Sequence, residues 1–253
     1  MNSQTTSQLG TLYLIPNTLG VYGTDGAQDT LRAVLAPQVV ETTARLQYFV
    51  VETAKVARQF LKAVGTHTPL QELHLSELNV KTPDAAVKDM LAPLLAGHDV
   101  GLLSDAGCPA VADPGARLVE AAHAADVRVV PLVGPSSLLL ALMGSGLNGQ
   151  KFAFHGYLPI DAAARLKEIK RLESESKAHA QTQLFIETPY RNMPLLDTLL
   201  KTLNASTQLC VAADLTLPSE TIRMHRVGEW QKRLKQGQGL ELNKRPCIFL
   251  FLA

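Results

Sequence analysis

The fold is decided by the stretch Asp99–Leu142, "DVGLLSDAGCPAVADPGARLVEAAHAADVRVVPLVGPSSLLLAL". Two apolar runs of strand length, "DVGLLSD" (Asp99–Asp105) and "DVRVVPLVG" (Asp126–Gly134), each end in Gly, Pro and small residues. Between them, "ADPGARLVEAAHAA" places Leu118 and Ala122 at helical spacing. Asp113 stands where it can cap that helix, and Pro114 suits a first helical turn. Strand, long loop, helix, strand is a βα unit of a parallel sheet, whose strands are covered on both faces and read as continuous apolar runs.

The same alternation extends outward. "TLYLIP" (Thr11–Pro16), "YFVVET" (Tyr48–Thr53) and "ELHLSEL" (Glu72–Leu78) read as strands, and Thr53–Val64, Pro83–Leu95 and Pro114–Ala125 as helices. Thr82 is placed to cap ahead of Pro83, Pro93 predicts a kink, and Gly97 a stop. After the "VGPSS" loop the pattern restarts. Strands are expected at Lys151–Pro159, Gln181–Pro189, Thr207–Thr216, Glu220–Gly228 and the C-terminal "RPCIFLFLA", with helices at Asp161–Ala178 and Arg191–Leu203. Three late strands with few helices between them predict a mixed sheet. "KQGQGLELNK" (Lys235–Lys244) reads as a flexible hairpin loop. The expected architecture is α/β with two α/β domains, 1–131 and 132–253, the first sheet largely parallel and the second mixed.

Composition narrows the classes. A chain of 253 residues, 46% apolar and 19% charged, fits a globular protein with a real core rather than a disordered or fibrous one. A formal charge of +1 excludes a globally basic nucleic-acid binder but not a local basic groove. The polar start "MNSQTTSQLG" lacks a signal-peptide pattern, and no apolar run is long enough for a bilayer. Cys108, Cys210 and Cys247 are far apart with no CxxC pair, which argues against a disulfide framework and a metal site and for a reducing, cytoplasmic setting. Cys108 reads as a small filler rather than a catalytic thiol, since no basic group stands beside it in sequence.

In an open α/β sheet, ligands bind beyond the carboxyl ends of the strands. "SDAGCPAVADPG" leaves such an end and, at twelve residues, exceeds a usual βα connection. Its small residues let backbone amides approach a ligand, and Asp105 adds an acceptor for hydroxyls or amines. The alternative is a tight connection with Asp105 closing a turn. "GPSS" leaves the next strand, where Ser136 or Ser137 serves equally as a helix cap or as part of an acceptor site. No GxGxxG follows the first strand and no GxxxxGK[ST] occurs, so the usual dinucleotide and NTP fingerprints are absent.

"LLSDAGCPAVADPGARLVEAA", "VVPLVGPSSLLLALMGSGL" and "FAFHGYLP" together resemble the tetrapyrrole methylase superfamily. Within it the chain is most similar to the enzymes that 2′-O-methylate a cytidine ribose of small-subunit ribosomal RNA. The similarity starts at "GTLYLIPNTLG" (Gly10–Gly20) and returns at "LFIETPYRN" (Leu184–Asn192). The resemblance implies two α/β domains with S-adenosylmethionine in a cleft between them, and a homodimer. It implies cofactor contacts at Pro16, Ser104, Asp105, Ala106, Cys108, Ser136, Ser137, Phe185, Ile186 and Glu187, with Ala213 and Pro246. The partner it implies is ribosomal RNA or the small ribosomal subunit.

A ribose hydroxyl is a poor nucleophile, so a base would help. Glu52 and Glu187 are the catalytic candidates, each at the carboxyl end of an apolar run; the alternative for each is a structural acceptor. His74 and His155 read as strand histidines. On the substrate side the family's signatures are altered. Where it reads "EDTRHS" this chain has "VETAKVAR", which keeps Glu52 and offers Lys55 and Arg58. "HEHN" is "SELN", with Glu77 and Asn79, and "ESPHR" is "ETPYR", with Arg191. Lys167, Lys170 and Arg171 lie opposite Leu166, Ile169 and Leu172 on one helix, either a phosphate-binding ridge or a solvated face. Three functions stand: a ribosomal RNA methyltransferase, a methyltransferase of a small molecule such as a tetrapyrrole, and a cofactor-binding protein that has lost catalysis.

Overall fold

A computed structural model describes residues 8–20 and 27–253, with the side chains of 27–30 excepted. The polar start at residues 1–7 lies outside the described residues. The chain divides into two compact units, Met1–Ser136 and Ser137–Ala253.

In the first unit, β1 (Thr11–Ile15) is followed by α1 (Ala27–Val34), α2 (Pro37–Arg45), β2 (Tyr48–Val51), α3 (Ala54–Val64) and β3 (His74–Glu77). Then come α4 (Asp84–Asp89), α5 (Ala92–Leu95), β4 (Val100–Leu103), α6 (Ala116–Ala124) and β5 (Arg128–Pro131). The five strands form one sheet in the order β3-β2-β4-β1-β5, every pairing parallel. Alternation along the strands feeds two cores. Leu12, Val50, Val100 and Leu102 pack with Val87, Leu94 and Leu118 on one face. Ile15, Phe49, Val51 and Leu103 pack with Leu35, Phe60 and Leu61 on the other. All four residues of β4 are buried, which is why that strand reads as unbroken "VGLL".

Several local expectations change. The helix expected over Pro83–Leu95 breaks at Met90–Leu91, so Pro93 enters the first turn of α5, where its missing N–H is not needed. Thr82 does not cap α4; its Oγ1 accepts from the Asn79 N–H at 3.0 Å and closes the preceding turn. Asp113 does not cap α6, which starts at Ala116 without a side-chain cap; its Oδ1 accepts from the N–H groups of Ala110 (3.0 Å) and Gly115 (2.6 Å) and shapes the long loop instead.

The second unit runs α7 (Ser137–Ser145), β6 (Phe152–Tyr157), α8 (Ala162–His179), β7 (Thr182–Glu187), α9 (Asn192–Thr202) and β8 (Gln208–Ala213). It ends with β9 (Thr221–Arg226), α10 (Val227–Lys235) and β10 (Cys247–Leu252). The sheet order is β6-β7-β10-β8-β9, with β6 and β7 parallel and the other pairs antiparallel. Phe185, Phe249, Phe251, Leu209 and Val211 meet Ile169, Leu172, Leu196, Leu199 and Trp230 in its core. Lys235–Lys244 is not a hairpin loop: it joins α10 to β10 and sinks Leu240 and Leu242 into that core. On α8, Leu166 is 41% exposed, and Arg171 is held by Glu168 and Glu175. The opposite face, with Lys167, Lys170 and Arg171, is exposed, and of these three Arg171 is the one that is ion-paired among the described residues.

Candidate active site

The connection from β1 leads toward β2, whereas that from β4 crosses β1 to reach β5. The chain therefore leaves two adjacent strands in opposite directions, and the crevice at their carboxyl ends is the switch point where α/β sheets bind ligands. Pro16 follows β1 there, and Ser104 to Cys108 follow β4.

The loops at this point are stitched together. The fully buried Asn17 donates from Nδ2 to the carbonyl oxygens of Ser104 and Asp105, both at 3.1 Å. Asn17 N–H donates to Gly107 O at 2.8 Å, and Gly107 N–H returns to Thr18 O at 3.3 Å. Cys108 Sγ donates to Pro135 O at 3.4 Å, which brings in the loop after β5. Gly134 has no space for a side chain, because a Cβ would stand 2.2 Å from Pro16 Cβ. Within the long loop Ala110 and Ala112 hold positive φ of 66° and 61°, a strained backbone for residues with a Cβ. Ser104 Oγ turns back to Ala106 O at 3.1 Å.

The carboxylates gather on the same side. Asp105 N–H donates to Glu52 Oε2 at 3.1 Å, and Thr53 Oγ1 donates to Asp105 Oδ2 at 2.8 Å. Asp105 Oδ1 and Glu52 Oε1 accept no hydrogen bond among the described residues. Burial pushes the Glu52 carboxyl above its ordinary value; the Asp105 N–H partly offsets this, and the charges of Asp105 and Asp113 add to it. Burial likewise raises Asp113, against hydrogen bonds from Gly115, Ala110 and the Ser104 side chain. Burial raises the Cys108 thiol as well, which fits a filler rather than a thiolate nucleophile.

Of the residues expected on the substrate side, Glu77 Oε1 accepts from the Ala54 N–H at 2.8 Å, so the end of β3 caps the first turn of α3 from the strand beside β2. Asn79 Oδ1 accepts from Lys81 N–H at 3.0 Å and shapes a turn. Lys55 and Arg58 are exposed and three apart on α3, hence on one face. His74 stacks on Tyr48 with ring centroids 4.7 Å apart, and His155 bonds Gln183 at 2.6 Å. No group of three metal-ligating side chains occurs among the described residues.

In the second unit, Glu187 is buried at the end of β7 and accepts from the Thr188 N–H at 2.6 Å and from Arg191 Nη2 at 2.5 Å. Phe185 and Ala213 turn their side chains into the core, so only their main chain can meet a ligand, while Pro246 is exposed. Ser136 ends the first unit; Ser137 opens α7 and the second. Sequence reasoning missed Asp214, at a positive φ of 52°, whose Oδ2 accepts from Ser219 Oγ (2.8 Å) and Arg245 Nε (2.7 Å). The αL backbone is the local feature that marks it, but its Arg partner is 31 residues away.

No family model matches the chain. Among solved structures it resembles the methyltransferase CobJ, with TM-score 0.59 and 18% identity over 95% of this chain and 93% of that one. It also resembles a uroporphyrin-III-C-methyltransferase from Thermus thermophilus, with TM-score 0.51 and 20% identity over 96% and 92%. These likenesses carry the fold: an α/β chain of the tetrapyrrole methylase type. Ribosomal RNA small subunit methyltransferase I of Xylella fastidiosa is 32% identical over 84% of this chain and 71% of its own length. The Escherichia coli O157:H7 protein of the same name is 31% identical over 90% and 73%. At that identity and coverage, the chain belongs to the ribosomal RNA small subunit methyltransferase I family.

Proposed function

We propose that this protein is an S-adenosylmethionine-dependent methyltransferase acting on small-subunit ribosomal RNA, at a cytidine ribose 2′-hydroxyl. The observation that carries the reading is the stitched switch-point crevice, where Glu52 and Asp105 share a hydrogen bond and each keeps an oxygen unengaged. S-adenosylmethionine supplies an electrophilic methyl on a positively charged sulfur, together with hydroxyl and ammonium donors. This donor set fits the residues present. Asp105 Oδ1 accepts from such donors, and the small residues Ala106 and Gly107 allow close approach of the main chain. Pro16, Ser104 and Cys108 complete this wall; Ser136, Ser137, Phe185, Ile186, Glu187, Ala213 and Pro246 are carried as further cofactor contacts by the family pattern.

Glu52 is the proposed base. Its raised proton affinity suits a group that takes the hydroxyl proton at Oε1 while Oε2 stays with the Asp105 amide. Presentation of the hydroxyl in line with the methyl does most of the work, since no covalent help from the protein is needed. Glu187, engaged by Arg191, acts in this reading by holding the end of β7 in place. Lys55, Arg58, Glu77, Asn79 and Arg191 are the proposed substrate side, the first two as exposed phosphate contacts and Glu77 by fixing the start of α3. A homodimer working in the cytoplasm, where ribosomal subunits are found, completes the proposal. No helix among the described residues is long and apolar enough to cross a membrane.

The test is transfer of tritiated methyl from S-adenosylmethionine to purified small ribosomal subunits, with a tetrapyrrole as the competing acceptor. Label in RNA is expected; label only in the tetrapyrrole would overturn the substrate assignment.

A further inference from the structure

Edge strand β9 and helix α10 enclose an open cavity of about 750 Å³ lined by Ile222, Arg223, Met224, His225, Arg233 and the Gln238–Gly239 turn. Among the described residues β9 pairs only with β8, so it is an edge strand of its sheet. The two-residue period of a strand puts Arg223 and His225 on one face, opposite Val211 and Leu209, about 7 Å apart along the chain. That face meets α10, where Trp230 is fully buried and its Nε1 donates to Leu209 O at 2.9 Å. The His225 ring stands edge-on to the Trp230 indole at 5.2 Å, a fixed platform for its imidazole. After α10 the chain folds back: Gly237, at φ 72°, donates to Leu234 O, and Gln238 donates to Arg233 O. The turn thereby places Gln238 in the cavity wall.

The cations here are incompletely paired. Arg223 is exposed and makes no hydrogen bond or ion pair among the described residues. Arg233 lies 3.2 Å from Glu229 Oε1 through Nε, without the alignment of a hydrogen bond. Between residues 223 and 235 the sequence carries Arg223, Arg226, Lys232, Arg233 and Lys235 against the single carboxylate of Glu229. Such a concentration of like charge in a chain of net charge +1 is unfavourable until an anion enters it.

We propose that the cavity beside β9 is an RNA-backbone subsite, in which Arg223, Arg233 and His225 take consecutive phosphates and Gln238 donates to a phosphate or ribose oxygen. It deepens the ribosomal RNA reading and rests on it. The state of His225 agrees with the geometry. Its pKa is lowered, first by burial and then by Arg233 and Arg223, against the opposing pull of Glu229. A phosphate in the cavity reverses that repulsion, so RNA binding raises the His225 pKa and takes up protons.

The experiment measures binding of the full chain to a fluorescein-labelled single-stranded fragment of small-subunit ribosomal RNA at several salt concentrations. Variants are Arg223→Glu, Arg233→Gln and Lys201→Glu, the last a charge reversal of equal size on α9. Melting curves establish that each variant is folded, and Arg223→Ala replaces any that is not. Arg223→Glu should weaken binding about tenfold and lower the slope of log K against log salt by about 0.7 for each phosphate no longer neutralised. Lys201→Glu should leave both unchanged, and the His225 imidazole signal should titrate at higher pH with RNA than without. Equal losses in Arg223→Glu and Lys201→Glu, or an unchanged slope in Arg223→Glu, would overturn the subsite while wild-type binding and methyl transfer leave the broader reading intact. Failure of the wild-type protein to bind the RNA at all would overturn both.

Discussion

The Asp105 N–H donates to Glu52 Oε2 at 3.1 Å, which ties the loop after β4 to the end of β2 two strand positions from β1. One carboxylate thus holds the loop after β4 with one oxygen and leaves the other unengaged among the described residues. Its pKa makes the first prediction. The folded protein binds the Glu52 proton more tightly than the unfolded chain, whose ordinary value is 4.5. Ionised Glu52 therefore opposes folding, with no effect well below pH 4.5, an effect growing as pH rises through that value, and a full effect above the folded-state pKa. Glu52→Gln should melt higher than wild type at pH 8 and equal to it near pH 3, while methyl transfer falls about 10²- to 10⁴-fold. Melting differences that stay constant with pH would remove the ionisation from the account.

Asp105→Ala should weaken S-adenosylmethionine binding, read by calorimetry, by about tenfold or more, because it deletes the unengaged acceptor Oδ1. Thr53 also loses its partner, so Thr53→Ala is the control and should cost little affinity. Unchanged affinity in Asp105→Ala would take Asp105 out of the cofactor wall.

Gly134→Ala should lower stability by about 1–3 kcal/mol, since the new methyl would drive into Pro16 Cβ and Cγ. Urea denaturation measures this, and an unchanged midpoint would mean that the two loops separate freely.

Arg191→Ala leaves the Glu187 carboxylate, 1% exposed in its side chain, without its cation. The expected loss is about 3–5 kcal/mol. Glu187→Gln in the same chain should recover part of it, and a double variant no better than Arg191→Ala would show that Arg191 acts through packing alone.

Strands such as β4 and β10 were legible because both their faces are buried, which leaves an apolar run that no other element explains. Helix α10 was not, since "VGEWQKRLK" buries only Val227 and Trp230 and otherwise reads as polar surface. Helices α1 and α2 escaped similarly, in a mostly polar segment whose apolar face is defined only by the sheet it covers. Asp105 stood out in the long small-residue loop, whereas Ser104 was singled out only through the family resemblance. The duties of Asp113 and Glu77 were not. Either side chain can cap a helix, and its choice of Ala110 and Gly115, or of the first amide of α3, is made by tertiary placement. The Asp214–Arg245 pair spans 31 residues and leaves no local mark except an αL backbone.

Methyl transfer to a ribose is tested by mass mapping of small-subunit RNA after reaction with the purified protein, using subunits from cells lacking this gene. One added methyl on a cytidine ribose, absent when Glu52→Gln replaces the wild type, is the predicted result. A methyl on a base, or none despite demonstrated S-adenosylmethionine binding, would contradict it.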